Sequence, residues 1–542
     1  MTNRQHLTGA QAVIATLRAH AVDTIFGIPG VHTLPIYDAI YHEQGLQHVL
    51  ARHEQGAGFM AEGYARTSGR TGVVCTITGP GVTNVATPVA NAYADSIPLL
   101  VISSTLPRVS HGHGRGELHE VKDQLGVMAA LTGWSRSVSH VEEIPDALAD
   151  AFRSMCLGRP RGAYLQIPLD LLESTAYVEI PEPTPIEPAR PSAEAIVAAV
   201  QLLRRAKRPL IIAGAGVTAA RANEQLALLA ERLQAPVILG SKSHDVLPTD
   251  HPLVVATNDA LPPELDAFVA QCDVVLVVGS KLGSERTAGQ RLPLSPQLIH
   301  IDIDPAEIGH NYPARIGIAT DAKAALEALL YVLRDYPQRP GSPPSKLPEL
   351  REALHNHMLR IHGETFSMLE GVRNGLRDLP RDTIIVADMT MLGYASAQYL
   401  PTYKPRTFIH PAEFCTIGCG LPLALGAQVA APERKVLALC GDGGFLLNAS
   451  ELATAAQEKL PVIVVIFNDS TFTTVKKDQQ KRFPNRYIAT DLLAPDYVAL
   501  ARAFHATGIR VETPRELAQA IQEAARRSGP TVIDAQLPPH QW

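Results

Sequence analysis

Asp442, Asn468 and Asp469 combine residue type and spacing in a way that points to chemistry. They fall within GDGGFLLNASELATAAQEKLPVIVVIFND, residues 441–469. The preceding KVLALC, residues 435–440, reads as a buried strand. It runs into a turn with Gly441, Gly443 and Gly444, where main-chain N–H groups can approach a phosphate closely. Asp442 adds a hard carboxylate oxygen for a divalent cation. A helix with Ala449 to Glu458 in its middle is expected next, and the apolar strand PVIVVIF then returns Asn468 and Asp469 to the same edge. Parallel strands of a βαβ unit present their C-terminal ends on one side, so this convergence needs no further device. Magnesium takes octahedral oxygen ligation shared between protein and phosphate, so a few protein oxygens beside a diphosphate suffice.

The elements that must carry these residues are legible as a regular alternation. Strand patterns such as GVVCTIT and LLVISST alternate with helical ones in the first part of the chain. PLIIAGAG, PVILG, VVLVVG and LIHIDID repeat the rhythm in the middle, and TIIVAD, KVLALC, PVIVVIF and TVIDAQ repeat it again towards the end. Such alternation predicts an α/β protein with three doubly wound parallel-sheet domains. Two proline-rich stretches, EIPEPTPIEPARPS (179–192) and YPQRPGSPPSKLPEL (336–350), read as stiff linkers, because proline fixes φ and removes a donor. Domains are therefore expected at 1–178, 193–335 and 351–542. Similar motif positions in the first and last of them suggest related folds. In the middle, GAGVTA (214–219) is a partial dinucleotide fingerprint. After the next strand, however, Ser241, Lys242 and Ser243 stand where a ribose-binding acid would be needed, so no working nicotinamide site is expected.

The 542 residues are enough for about three domains with their own cores. Forty-eight Lys+Arg against 54 Asp+Glu give a formal net charge of -6, and no long basic run is present, which argues against electrostatic binding to nucleic acid. The N-terminal MTNRQHLTGAQAVIATLRAH reads as an amphipathic helix rather than a signal peptide, and no apolar stretch is long enough to cross a bilayer, so a cytoplasmic protein is expected. Cys75, Cys156, Cys272, Cys415, Cys419 and Cys440 form no C-x-x-C pair and read as small buried hydrophobes.

Residues 441–469 resemble the thiamin-diphosphate motif, GDG followed downstream by two asparagines. Far upstream, RHEQGAGFMAEGYARTSGRTGVVCTITGPGVTN (52–84) resembles the pyrimidine-binding half of the acetolactate synthase, pyruvate oxidase and benzoylformate decarboxylase superfamily. The two motifs occur in the right order, and the resemblance covers essentially the whole chain. It implies pyrimidine-binding, central and diphosphate-binding domains, with thiamin diphosphate and Mg2+ as cofactors. By the same resemblance Glu54 is the activating glutamate, which hydrogen-bonds the aminopyrimidine ring nitrogen. EFCTIGCGLPLALGAQ (413–428) resembles the segment that bends the cofactor, with Ile417 as the apolar wedge and the Cys415 carbonyl as acceptor for the exocyclic amine. The metal ligands would be Asp442, Asp469 and the Thr471 carbonyl, with Asn468 in support. Asp469 replaces the usual second asparagine, and Lys476 and Lys477 are expected to offset its charge. Gly30, Thr78, Gly79, Asn84, Thr390, Gly441, Gly443 and Gly444 complete the expected cofactor contacts. In the family the central domain sometimes carries FAD and sometimes nothing; an empty or structural domain is the reading taken here, with FAD as the alternative. Family active sites lie between subunits, which implies a homodimer or homotetramer.

Substrate selection falls to HGHGRGELHEVKDQ (111–124). Acetolactate synthases carry a Phe-Gln pair there, where this chain has Leu118 and His119. A histidine suits proton transfer near neutral pH. His119 is the candidate donor, with His111 and His113 as the surface alternatives. Val31 and His32 of GIPGVH, together with Asp478, which replaces the synthases' tryptophan, are the other substrate-side candidates, although Asp478 between lysines also reads as a solvated helix residue. GIPGVHTL, GRGELHE and ITGPGVTN are most similar to 5-guanidino-2-oxopentanoate decarboxylases. The resemblance implies a 2-oxo acid decarboxylase that releases CO2 and an aldehyde through ylide and enamine intermediates. The alternative is an acetolactate synthase-type carboligase, in which the enamine meets a second carbonyl. A non-catalytic relative is a third reading, against which the intact Glu54 and Asp442 argue.

Overall fold

The computed structural model describes residues 4–184, 186–256, 262–284, 287–338 and 346–537. Three six-stranded sheets, parallel throughout, succeed one another along the chain. The first runs in space Gln47–Leu50, Thr24–Gly27, Gly72–Thr76, Leu99–Thr105, Ala163–Pro168, Trp134–Ser137. The last runs Phe408–Ile409, Ile384–Ala387, Val436–Gly441, Ile463–Asn468, Thr531–Gln536, Thr507–Val511. With strands numbered along each segment, both read 2-1-3-4-6-5, so the first and last domains share one topology. The central sheet reads 3-2-1-4-5-6, the order of the dinucleotide-binding fold, from Val254–Ala256 through Val237–Leu239, Pro209–Ala213, Val274–Val278 and Leu298–Asp302 to Ile316–Ala319. The inner strands are rich in Val, Ile and Leu and buried because helices cover both faces, while edge strands such as Gln47–Leu50, Trp134–Ser137 and Thr507–Val511 are partly exposed. In all three sheets the strand order switches direction beside the first strand, where a crevice is expected beyond the carboxyl ends of the strands.

The structure corrects several local expectations. Arg4–Thr8 is a strand paired antiparallel with Thr175–Glu179, and the helix begins only at Gly9. A capping box fixes that start, since the Thr8 hydroxyl accepts from the Gln11 N–H while the Gln11 side chain accepts from the Thr8 N–H. The helix expected around Ala449 to Glu458 is two pieces, Asp442–Leu447 and Glu451–Gln457. They break at Asn448, whose Nδ2 donates to the Gly418 carbonyl at 2.7 Å instead of leaving the helix uninterrupted. The second proline-rich linker ends earlier than its composition suggests: residues 339–345 lie outside the described residues, and a helix, Leu347–His362, occupies its end with Pro348 in the first turn, where the missing N–H costs no bond. Cys156 and Cys415 are exposed, unlike the four other cysteines. No helix among the described residues is long and apolar enough to cross a membrane.

A pair of helices forms the core of the contact between the first and last domains. The helix Glu54–Ser68 packs antiparallel against the topologically equivalent helix Gly420–Ala430. A β-carbon at Gly63 would stand 2.1 Å from the Leu423 carbonyl oxygen, and one at Gly426 only 1.8 Å from that of Met60. Glycine therefore lets the two backbones touch, and Phe59, Met60, Leu421 and Leu423 close the surrounding core. Gly426→Ala pushes a methyl group into backbone, which no rotamer can relieve. It is expected to destabilise the protein by about 1–3 kcal/mol or more. Urea denaturation checks this, and an unchanged midpoint would show that the helix pair tolerates separation.

Candidate active site

The last domain gathers its candidate residues at the switch point between Ile384–Ala387 and Val436–Gly441. Thr390 lies there, its hydroxyl 3.2 Å from the place of a Gly441 β-carbon. The neighbouring strand Ile463–Asn468 delivers Asp469 to the same edge. Burial first and Asp469 second push the Asp442 carboxyl up to about 6. The N–H groups of Ser470 and Thr471 face it and oppose the rise, yet its Oδ2 is buried without a hydrogen-bonding partner. Two carboxylates side by side, one with an idle oxygen, fit a divalent cation. Among the described residues no three His, Cys, Asp or Glu side chains could hold a metal by themselves, so a cation here needs the Thr471 carbonyl and phosphate oxygens as well. Asn468 faces away: its Nδ2 donates to Asp534 at 3.0 Å and its Oδ1 accepts from the Ser470 N–H at 3.3 Å, which steadies the loop. Lys477 faces Asp469. Lys476, beside it in sequence, is buried and pairs with Asp491.

In the turn at 415–420, Gly418 and Gly420 follow Ile417, which is 38% exposed. Cys415 adopts a left-handed φ of 55°, uncommon for a residue with a β-carbon. Asp388 holds the end of this turn. It is fully buried, and its carboxylate accepts from the N–H groups of Met389, Gly418 and Gly420 at 2.7, 3.1 and 3.1 Å. Burial raises its pKa against those bonds. Sequence reading took Asp388 only as the end of the strand TIIVAD; an acid closing an otherwise apolar strand was the available signal.

The first domain gathers the rest at its own switch point, between Thr24–Gly27 and Gly72–Thr76. Glu54 opens its helix almost buried, and its Oε2 accepts from Asn84 Nδ2 at 2.9 Å. Gly79 has φ 69° and packs so tightly that a β-carbon would lie 2.4 Å from the His119 carbonyl oxygen, while one on Gly81 would lie 3.5 Å from Glu54 Oε1. Gly30 is needed beside Ile77, 2.3 Å from where its β-carbon would be. The Thr78 N–H and the Gly79 N–H are tied to Ser104 and Gln124. His32 and His119 meet edge to face with ring centres 5.6 Å apart. His32 is buried with its Nδ1 unpartnered, and burial and His119 together lower its pKa. His119 itself has a left-handed φ of 64°. Val31 and Leu118 flank this pair and are exposed. His111 is turned away, its Nε2 against the Leu106 carbonyl. Asp478 is exposed on the helix Thr473–Arg482 and paired with Arg482, so within one chain it does not join the histidines.

Glu451 ties the last domain to the segment just ahead of Glu54. Its Oε1 accepts from the N–H groups of both Arg52 and His53 at 3.0 Å, immediately ahead of Glu54, while Thr454 donates to its Oε2. It lies inside the motif quoted above, on the apolar helix ELATAAQ, where a lone acid was the unread signal. Where all three domains meet, a crevice of about 780 Å³ opens at the central switch point, lined in part by Gly214, Gly216 and Gly279. Its cations are engaged: Arg66 with Glu62 and Asp95, Arg70 with Asp23, Arg153 with Asp150, Arg159 with Glu307, Lys242 and Lys281 with Glu413, and Arg406 with main-chain carbonyls.

Comparison with known proteins matches the chain to three family profiles. They are described as "Thiamine pyrophosphate enzyme, N-terminal TPP binding domain" over residues 7–127, "central domain" over 196–329 and "C-terminal TPP binding domain" over 388–535. A Pseudomonas aeruginosa protein named "Probable 2-ketoarginine decarboxylase AruI" is 38% identical over 98% of this chain and 95% of its own length. The acetolactate synthase large subunit of Parasynechococcus marenigrum is 34% identical over 98% of this chain and 87% of its own. The acetolactate synthase isozyme 2 large subunit of Escherichia coli is 32% identical over 97% and 95%.

Glu451→Ala strips two part-buried N–H groups of a buried acceptor. The expected loss is about 1–2 kcal/mol in urea denaturation, because hydrogen bonds to a charged group are lost and the donors are only partly reached by water. A loss within a few tenths would show that water replaces the carboxylate.

Proposed function

The chain belongs to the thiamine pyrophosphate enzyme family, and from that premise we propose a thiamin-diphosphate- and Mg2+-dependent 2-oxo acid decarboxylase that releases CO2 and an aldehyde. The observation that carries the choice is the His32–His119 pair on the Glu54 side of the site. When bound, thiamin diphosphate supplies the carbanion that adds to a 2-oxo acid and accommodates the electrons left by CO2. Asp442, Asp469 and the Thr471 carbonyl would hold the cation, and the glycine turn at 441–444 the diphosphate. Glu54 holds a proton at the aminopyrimidine ring nitrogen, and its burial beside Asn84 keeps water from competing. Ile417 and the Cys415 carbonyl orient the two rings. His119 gives a proton to the carbon that has lost its carboxylate, and His32, which burial keeps neutral, is available to exchange protons with it. The relative named as a 2-ketoarginine decarboxylase supports a guanidino-substituted 2-oxo acid as the first substrate to try. The synthase relatives support the alternative, transfer to a second carbonyl.

Two copies of the chain complete the site in this reading. Within one chain the antiparallel helix pair keeps the half-sites apart: at about 1.5 Å per residue, Glu54 lies roughly 14 Å along its helix from Gly63, where the Gly420 helix crosses near its beginning. Ile417 lies beyond that crossing, at the far end from Glu54. Exposed Phe414, Leu446, Leu447, Val475 and Phe483 in the last domain and Val31, Leu34 and Leu118 in the first give each half-site an apolar rim suited to an intersubunit contact. A homodimer, or a homotetramer built from it, follows. The central crevice has the volume for a nucleotide, but its cations are committed to internal partners, so a structural central domain without flavin is the reading taken. A cytoplasmic location accompanies it.

Glu54→Gln keeps shape and removes the acid. Cofactor affinity should change little while the C2 proton exchange of bound thiamin diphosphate, followed by NMR, slows by about 10²-fold to 10⁴-fold. Wild-type exchange would remove Glu54 from the role. The reaction itself is tested by product analysis on a panel of 2-oxo acids, 5-guanidino-2-oxopentanoate first, with and without an aldehyde acceptor. Aldehyde as the main product in both settings supports the decarboxylase, and a 2-hydroxy ketone or acetohydroxy acid as the main product overturns it. On the active substrate, His119→Ala should slow aldehyde release more than CO2 release, and equal slowing would make His119 a bystander.

A further inference from the structure

Glu413 opens the segment that carries Cys415 and Ile417, and it is clasped from another domain. Its Oε1 is 2.7 Å from Lys242 Nζ and its Oε2 2.8 Å from Lys281 Nζ. Its main-chain N–H donates to Asp95 Oδ1 at 3.3 Å. Asp95 also takes Arg66 at 2.5 Å and Lys242 at 3.4 Å. The cluster thus draws Asp95 and Arg66 from the first domain, the lysines from the central one and Glu413 from the last. The carboxylate and both ammonium groups are about three-quarters buried, with 25%, 21% and 28% of their side chains exposed. Low exposure weakens solvent screening, so these pairs are stiffer than surface ones.

The turn beyond Glu413 needs such a tie. Its far end is fixed by Asp388 through the Gly418 and Gly420 N–H groups and by Asn448 through the Gly418 carbonyl. Between the ends stand the left-handed Cys415, whose thiol donates to the Ala412 carbonyl at 3.0 Å, and the exposed Phe414 and Ile417. A non-glycine residue keeps a left-handed backbone only where its surroundings over-determine it. With the far end alone fixed, residues 414–417 could relax.

We propose that Lys242 and Lys281 of the central domain, acting through Glu413, are positioning residues that fix the cofactor-bending turn at Cys415 and Ile417. The proposal rests on the reading of that turn as part of the thiamin diphosphate site. It gives the central domain a task in the reaction without a ligand of its own: Lys242, standing where a nucleotide fold would place a ribose-binding acid, serves the neighbouring domain's loop instead.

Full-length Glu413→Gln, Lys281→Met and Lys281→Arg test it. Calorimetric titration with thiamin diphosphate and Mg2+, near-ultraviolet circular dichroism of the bound cofactor and thermal denaturation of the cofactor-free protein are the readouts. Glu413→Gln and Lys281→Met should raise the cofactor Kd by about 10- to 100-fold, as loss of an outer support does at ligand sites, and weaken the dichroic band. Lys281→Arg, which keeps the charge, should stay near wild type, and the cofactor-free melting temperature should move little in any of them. Unchanged Kd and dichroism in Glu413→Gln and Lys281→Met overturn the proposal. A Kd loss that follows a matching loss of cofactor-free stability, with no rescue by arginine, also overturns it, because the clasp would then be structural only. Wild-type protein that does not bind thiamin diphosphate would instead fell the cofactor reading on which the proposal stands.

Discussion

The contact between the helices Glu54–Ser68 and Gly420–Ala430 sets the frame for everything else. Backbone touches backbone at Gly63 and Gly426, so the two helices cannot slide or rotate against one another without a clash. Because each helix occupies the same place in its own 2-1-3-4-6-5 domain, the packing relates the two domains by an approximate two-fold axis. That relation turns the two switch-point crevices to opposite ends of the helix pair. In the proposed reading each end then holds half of a site, and a second copy would join the unlike halves.

Buried acids then stitch the frame together, each one placed where main-chain donors would otherwise be lost. Glu451 reaches from the last domain to the N–H groups of Arg52 and His53. Asp245 reaches from the central domain to those of Thr407 and Phe408, and burial pushes its carboxyl up to about 6. Asp388 performs the same service within the last domain. A carboxylate in such a position satisfies several donors at once, which an amide or hydroxyl does less well. Glu451 thereby holds the main chain just ahead of Glu54, Asp245 that of Thr407 and Phe408, and Asp388 the end of the 415–420 turn.

Left-handed backbone recurs at the edges of both half-sites. His119, Cys415 and Ser470 all carry β-carbons and positive φ, and each lies next to residues expected to touch cofactor or metal. Such conformations cost about 1–3 kcal/mol each and survive where neighbours hold them. Here the neighbours are identifiable: Gly79 against the His119 carbonyl, Asp388 and Glu413 around Cys415, and the Leu492 N–H on the Ser470 carbonyl. Gly79 and Gly30 are fixed glycines for the complementary reason, since any side chain there would occupy the space that Ile77 and the His119 backbone fill.

The sequence by itself determined the elements whose signal is local. Val/Ile/Leu-rich runs and the repeated βα rhythm pointed to three layered parallel sheets, the GDG turn suggested a phosphate and cation site by residue type and spacing, and the RHE glutamate was singled out by the family resemblance of its segment. Local signal failed where a longer-range partner decides. Residues 4–8 became a strand because Thr175–Glu179 lay waiting to pair, and the helix after Asp442 broke because Asn448 found the Gly418 carbonyl. Glu451, Asp388 and Glu413 looked like ordinary acids, since residue type alone does not reveal that their acceptor oxygens will be spent on the main-chain donors of Arg52 and His53, on those of Gly418 and Gly420, and on Lys242 and Lys281. Lys476 and Lys477 are adjacent and alike on paper, yet helical rotation by about 100° per residue sends one to Asp491 and the other towards Asp469. Type and spacing announce chemistry; which way a side chain points, and what it meets there, is settled only when the domains close on one another.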